Sequence, residues 1–124
     1  MLLGSIEAGG TKFVCAVGNE DYQVKEQIQY PTTTPEETIQ RSIDFFKKYP
    51  DLRAISVASF GPIEIRKNAE KYGYITDTPK VGWSQTNFLG MLQKAFDLPI
   101  YWTTDVNGSA YGEYTLALAS GNQI

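Results

Sequence analysis

The stretch LLGSIEAGGTKFVCAV, residues 2–17, decides the fold of this chain. It contains two mostly apolar runs, residues 2–7 and 12–17, separated by Ala-Gly-Gly-Thr at residues 8–11, hereafter the glycine turn. Two strand-like runs joined by a short turn that contains glycine predict a β-hairpin. Residues 24–30 form a third strand-like run, so the sequence predicts a β-meander at the start of the chain.

A helix and a further strand follow the meander. Thr34 is a favoured N-cap residue, Pro35 suits the first helical position, and Glu37 completes a capping box. Residues 52–59 then have the apolar character of a buried strand. A strand, a helix and a strand in this order predict a parallel, right-handed crossover.

The remainder of the chain continues the α/β alternation. The expected elements are a short strand at 72–75, a helix at 86–96, a strand at 100–103 and a helix from Asp105 to about residue 119. The order β-β-β-α-β-α-β-α is similar to that of the ribonuclease-H-like half-domain shared by actin, hexokinase and sugar kinases. We therefore expect one α/β domain in which helices cover a mixed sheet.

Composition and charge exclude several classes of protein. The 124 residues suffice for one domain with a core, and the net charge of −3 disfavours a nucleic-acid partner. No apolar run approaches the ~20 residues that a membrane span needs, and the first residues lack the features of a signal peptide. The single cysteine, Cys15, is expected to be a small buried hydrophobe, and a lone cysteine fits a reducing cytoplasm. Because the chain has no histidine, its chemistry must use carboxylates, lysines, backbone donors or an oxygen-bound cation.

The glycine turn and its neighbours are candidates for binding a phosphate. Gly9 and Gly10 lack a Cβ, so the backbone can adopt positive φ and still approach a ligand closely. Thr11 adds a hydroxyl and Lys12 a cation, while Glu7 could hold a water molecule on a divalent ion. The alternative is a plain hairpin whose turn needs glycine, and this segment alone does not separate the two interpretations.

Asp105 is a candidate catalytic acid. It ends a predicted strand and opens a predicted helix, where a carboxylate can meet a substrate hydroxyl. Aspartate is also a favoured N-cap residue, and on this residue alone capping is the stronger interpretation. Taken together, the glycine turn and this carboxylate suggest phosphoryl transfer from a nucleotide to an alcohol.

Other polar residues could face a sugar. Gly61 and Pro62 turn the chain after a strand and could let a ligand lie against the backbone. Thr76, Thr78, Lys80 and Trp83 form a plausible polyol-facing set, although we favour a place in the core for Trp83. For Asn107, contact with a ligand and simple packing are equally open.

Four segments together resemble the ROK family of sugar kinases and, within it, the bacterial fructokinases. They are IEAGGTKF at 6–13, SFGP at 59–62, TDTPKVGW at 76–83 and TTDVNGSAYGE at 103–113. Their order and spacing make the resemblance specific, and it covers nearly the whole chain. It favours the ligand-binding interpretations of Gly9, Gly10 and Asp105 over the structural ones.

The resemblance implies a reaction that depends on ATP and Mg²⁺ and transfers the γ-phosphoryl group to the 6-hydroxyl of fructose. It implies that Asp105 takes the hydroxyl proton. The implied nucleotide-side residues are Glu7, Gly9, Gly10, Thr11 and Lys12, and the implied sugar-side residues are Gly61, Pro62, Thr78, Lys80, Thr104 and Asn107. Within the family, glutamate at position 7 is typical of the fructokinases, and threonine at position 104 weakens a glucose assignment.

The resemblance also implies a second, C-terminal domain with adenosine contacts and a zinc site, neither of which this chain carries. Residues 1–124 are therefore expected to be the N-terminal domain of a cytoplasmic, homodimeric enzyme and to be inactive alone. No metal ligands are assigned within this chain. Two alternatives stay open: a stand-alone module that binds a sugar or a protein, and half of a ROK glucokinase.

Overall fold

A five-stranded mixed sheet organises the computed structural model, which describes residues 1–21 and 23–104. The strands lie in the order β3-β2-β1-β4-β5. Along the chain the elements are β1 (Leu2–Ala8), β2 (Lys12–Gly18), β3 (Val24–Pro31), α1 (Pro35–Phe46), β4 (Leu52–Ser59), α2 (Phe88–Ala95) and β5 (Ile100–Thr104). Within these residues, neither helix is long and apolar enough to cross a membrane.

The predicted meander is confirmed. β1 pairs antiparallel with β2, from Leu3 opposite Gly18 to Ala8 opposite Phe13, and β2 pairs antiparallel with β3. Each strand runs one residue beyond its predicted end. The glycine turn closes where the Gly9 amide donates to the Lys12 carbonyl oxygen at 2.9 Å.

The parallel arrangement of the predicted crossover is also found. Thr34 caps α1, since its hydroxyl oxygen accepts from the Glu37 amide at 3.2 Å, and Pro35 is the first helical residue. The Glu37 carboxylate accepts from the Thr33 hydroxyl at 2.9 Å. α1 leads from β3 to β4, and β4 lies parallel to β1 near the middle of the sheet. β5 then pairs parallel with β4 and forms the edge of the sheet opposite β3.

Both helices pack on one face of the sheet around an aromatic core. A Cβ on Gly4 would lie 2.7 Å from the Phe46 ring, so glycine at this position lets α1 approach β1 closely. The core centres on rings from the sheet, from α2 and from the segment before α2: Phe13, Phe60, Trp83, Phe88 and Trp102. The Trp83 side chain is fully buried, as predicted.

The segment between β4 and α2 differs from the prediction. The strand expected at 72–75 is wrong, because Ile75 alone forms bridges, to Ile63 and Thr86. Gly73 has φ +89° and lies against Leu89, which turns the backbone out of an extended path. α2 starts at Phe88 rather than at the predicted residue 86, since Asn87 is its N-cap. The helix predicted from Asp105 lies outside the described residues.

Candidate functional site

Three of the four motifs meet at one end of the sheet. Ala8, at the end of β1, pairs with Ser59, at the end of β4, and Ser59 pairs with Thr104, at the end of β5. The Phe60 amide donates to the Ala8 carbonyl oxygen at 2.8 Å, so the chain leaves β4 alongside the glycine turn. The carboxyl ends of neighbouring parallel strands are a common place for ligands to bind, so this end of the sheet is the candidate site.

The site gathers several of the predicted residues. Gly61 and Pro62 follow β4 after Phe60, and Thr104, the last residue of β5, is partly exposed at the same end of the sheet. Asp105 and Asn107 lie outside the described residues. Asp105 is nevertheless the next residue after Thr104, so the chain reaches this edge immediately before the candidate acid.

The two glycines of the turn differ in how much room the described chain leaves for a side chain. A Cβ on Gly9 would lie 2.9 Å from the Lys12 carbonyl oxygen, so the closed hairpin itself requires glycine there. A Cβ on Gly10 would meet no atom of residues 1–21 or 23–104 within 4 Å. Neither glycine of the turn uses the positive φ that glycine allows, since among the described glycines only Gly73 and Gly82 have it. Nothing in the described chain therefore requires glycine at position 10.

Polar side chains border the glycine turn. Glu7, Thr11 and Lys12 are all exposed to solvent. Side chains alternate between the two faces along β1, and Gly4 faces α1, so the Glu7 side chain lies on the opposite face of the sheet. A carboxylate, a hydroxyl and an ammonium group are thus available beside an open glycine backbone.

Thr32 was missed by sequence reasoning, although it holds the glycine turn. Its hydroxyl donates to the Gly9 carbonyl oxygen at 2.7 Å, and its amide donates to the Thr11 carbonyl oxygen at 2.9 Å. The run of three threonines at 32–34 could have drawn attention to Thr32, but the sequence predicts a role only for Thr34, as the N-cap of α1.

The candidate sugar-side residues lie on two connected segments. Residues 76–83, hereafter the strap, begin where the Thr76 amide donates to the Pro62 carbonyl oxygen at 2.9 Å. The Thr78 amide donates to the Ser84 hydroxyl oxygen at 3.1 Å, and the Lys80 amide donates to the Thr78 hydroxyl oxygen at 3.4 Å. Thr78 and Lys80 are partly exposed, and the Gly61-Pro62 peptide is cis.

Trp83 fixes the far end of the strap. Its indole Nε1 donates to the Thr33 carbonyl oxygen at 2.8 Å. Its ring packs against Phe60 and Phe13, with centroids at 5.4 and 5.7 Å. The strap is therefore attached both to the turn after β4 and to the residues that precede α1.

Glu64, two residues beyond Pro62, is a carboxylate near the site with a structural role. Arg66 donates to it through Nε at 3.0 Å and through Nη2 at 2.7 Å. This guanidinium lowers the pKa of Glu64 to about 2. Because both carboxylate oxygens already accept from Arg66 and the pKa is low, Glu64 is a poor acceptor for a proton from a substrate.

Cys15 is buried, as predicted, and it is also hydrogen-bonded. Its thiol lies 3.4 Å from the hydroxyl oxygens of both Tyr30 and Ser42. Burial raises the pKa of this thiol, so it stays protonated and unreactive at neutral pH. Cys15 is therefore part of the core and not of the candidate site.

Comparison with known protein families decides the identity of the fold. The model of the ROK family matches residues 3–123. This chain belongs to the ROK family. It is similar to the fructokinase of Streptococcus mutans, with 58% identity over 113 residues, which are 90% of this chain and 39% of that protein. It is also similar to the fructokinase of Pediococcus pentosaceus, with 56% identity over 96% of this chain and 41% of that protein.

A solved structure of the same family shares the fold. A ROK family glucokinase from Streptomyces griseus, in complex with glucose and AMPPNP, superposes with a TM-score of 0.72 at 20% identity. The superposition covers 93% of this ROK chain and 36% of that protein. The predicted α/β half-domain with a mixed sheet is confirmed. The ROK chain spans about two-fifths of the length of the curated relatives that it matches.

Proposed function

We propose that this ROK chain is the N-terminal domain of an ATP-dependent fructokinase, which transfers the γ-phosphoryl group to the 6-hydroxyl of fructose. The observation that carries the proposal is the meeting of the glycine turn, the Gly61-Pro62 turn and Thr104 at one end of the sheet. Identities of 58% and 56% to two fructokinases support fructose as the substrate.

The glycine turn has the features that a phosphate site needs. No described residue occupies the space where a Cβ of Gly10 would stand, so in this part of the chain a phosphate can approach its backbone. We assign the nucleotide side to the backbone of Gly9, Gly10 and Thr11, the ammonium group of Lys12, and Glu7 as a holder of water on Mg²⁺. When bound, ATP would supply the phosphoryl group, and Mg²⁺ would neutralise part of the negative charge on the phosphates.

The sugar side of the proposal uses residues that follow β4 and β5 along the chain. Asp105, directly after Thr104, would orient the 6-hydroxyl and accept its proton late in the transfer. Fructose would lie against the backbone of Gly61 and Pro62. The remaining proposed sugar contacts are Thr78, Lys80, Thr104 and Asn107.

The proposal includes a second domain, which would complete the nucleotide site, carry a zinc site and exclude water by closing over the substrates. It also includes a homodimer and a cytoplasmic location, both of which rest on the family resemblance. Residues 1–124 alone are expected to have no activity, since they carry only part of the nucleotide site.

The test compares the protein expressed from its full reading frame with residues 1–124 alone. Each is assayed for ATP-dependent phosphorylation of fructose, glucose and mannose. We expect activity of the longer protein on fructose, and a loss of about 10²–10⁴-fold in D105N at unchanged thermal stability. Preference for glucose would indicate a glucokinase. Sugar binding without turnover would indicate a binding module, and full activity of residues 1–124 alone would contradict the two-domain proposal.

A further inference from the structure

Thr32 contacts both sides of the glycine turn with two different groups. Its hydroxyl donates to the Gly9 carbonyl oxygen, and its amide donates to the Thr11 carbonyl oxygen. These two carbonyl groups flank Gly10, a position where the described residues leave room for a Cβ. Thr32 is 7% exposed, so water has little access to replace the hydroxyl as the partner of Gly9.

The next residue, Thr33, is bonded to the strap. Its carbonyl oxygen accepts from the Trp83 indole at 2.8 Å, and its amide donates to the Thr38 hydroxyl oxygen at 2.9 Å, inside α1. Two consecutive residues therefore hold the proposed nucleotide turn, the proposed sugar strap and the first turn of α1.

We propose that Thr32 is a positioning residue for the nucleotide: its hydroxyl sets the peptide of Gly9, and so directs the following backbone N–H groups toward the phosphates. This inference rests on the proposed function. The Thr32 amide bond to Thr11 belongs to the backbone and survives any substitution except proline. The hydroxyl bond to Gly9 is the part that a point mutation can remove on its own.

T32V is the sharpest variant, because valine matches threonine in shape and removes only the hydroxyl. The Gly9 carbonyl oxygen is then left without its donor, and the turn can rotate. We expect KM for ATP to rise about five- to tenfold, with KM for fructose within twofold of wild type. T32S keeps a hydroxyl and should restore KM for ATP.

T33V is the matched control. The Thr33 hydroxyl bonds to the side chains of Glu37 and Thr38 and does not contact the glycine turn. The same chemical change, one residue along the chain, should leave both KM values unchanged. A merely structural role of Thr32 would lower the active fraction and kcat, and leave KM for ATP as it was.

A second readout does not depend on turnover. The Gly9 amide, bonded to Lys12 at 2.9 Å, should exchange its hydrogen faster in T32V than in T33V, and T32S should restore slow exchange. These experiments use the protein expressed from its full reading frame. If T32V does not fold, T32A is judged by the same criteria.

The outcomes separate the two proposals. Unchanged KM for ATP in a folded T32V, parallel increases in both KM values, or failure of T32S to restore would overturn the role of Thr32. If the wild-type protein does not phosphorylate fructose, the proposed function is refuted. Faster exchange at Gly9 in T32V would in that case still establish that Thr32 holds the glycine turn.

Discussion

The indole Nε1 of Trp83 donates a hydrogen bond to the Thr33 carbonyl oxygen across 50 positions of sequence. This bond joins the strap to the residues that precede α1, and Thr32 joins the same residues to the glycine turn. A change at Trp83 should therefore act at a distance on the candidate site.

W83F removes the indole donor while keeping an aromatic ring in the core. Trp83 is fully buried, so the Thr33 carbonyl oxygen loses its partner and a small cavity opens. We expect the free energy of unfolding to fall by about 2–4 kcal/mol, measured by urea denaturation. The amide of residue 83, which donates to the Lys80 carbonyl oxygen, should also exchange faster than the loss of global stability explains.

W102F is the control for that prediction. The Trp102 indole donates to the Glu64 carbonyl oxygen at 2.9 Å and is also buried, but it does not reach Thr33. W102F should lose stability without an added effect at the amide of residue 83. Equal local exchange in the two variants would contradict the link between the strap and the start of α1.

G10A and G9A should separate ligand binding from folding at the glycine turn. A Cβ at position 10 meets none of the described residues and sits on a backbone without positive φ, so G10A should change stability by less than about 0.5 kcal/mol. In the proposed kinase it should still lower kcat/KM for ATP by about 10²-fold, since the methyl group stands where a phosphate would approach. G9A should instead cost about 1–3 kcal/mol, because its Cβ lies 2.9 Å from the Lys12 carbonyl oxygen.

The measurements for this pair are thermal unfolding and kinetics with varied ATP. Wild-type kinetics in a stable G10A would remove the glycine turn from the nucleotide site. An unstable G10A would show that position 10 has a structural demand after all.

The parts of the fold that were predictable depend on local signals. The glycine turn between two apolar runs and the cap formed by Thr34 and Pro35 act within a few residues, so the sequence reveals them. Thr32 was missed because its partner, Gly9, lies 23 positions earlier, and only the pairing of β2 with β3 brings the two together. A threonine that clamps a turn and a threonine that caps a helix look alike in sequence.

The strand wrongly expected at 72–75 shows that a contact distant in sequence can override a local signal. Tyr72 to Ile75 has the aromatic and β-branched character of a strand, but the contact between Gly73 and Leu89 decides the local path. The motifs of the candidate site could be read from the sequence. That they meet at one end of the sheet is known only from the register of the strands. The role of Asp105 stays a prediction, because it lies outside the described residues.

G73A and G82A measure what that contact contributes. Both glycines have positive φ, +89° and +84°, so alanine strains the backbone at either position by about 1–2 kcal/mol. At Gly73 the new Cβ would also lie 2.5 Å from the Leu89 Cβ, whereas at Gly82 it meets no atom of the described residues within 4 Å. We expect G73A to lose about 1–3 kcal/mol more than G82A in urea unfolding. Equal losses would mean that the close packing of this segment on α2 is not present in solution.

The ion pair between Glu64 and Arg66 predicts a specific loss of stability in acid. The Glu64 side chain is 15% exposed, and Arg66 holds its pKa at about 2, below the ordinary value of 4.5. A carboxyl whose pKa is lowered by folding stabilises the fold when it is ionised. That contribution is complete above the ordinary value, and it is lost as the pH falls from there toward about 2.

E64Q removes this titration while it keeps a side chain of the same size. We expect E64Q to be less stable than wild type at pH 7, and the difference between the two melting temperatures to shrink as the pH falls from 5 to 2. E70Q, an exposed glutamate of the same segment, is the control, and its difference from wild type should not follow that course. A constant difference between E64Q and wild type across this range would show that Arg66 does not hold Glu64 ionised. The path of the chain at Glu64 would then rest on its backbone bonds, among them the Trp102 indole bond to its carbonyl oxygen, and not on the ion pair.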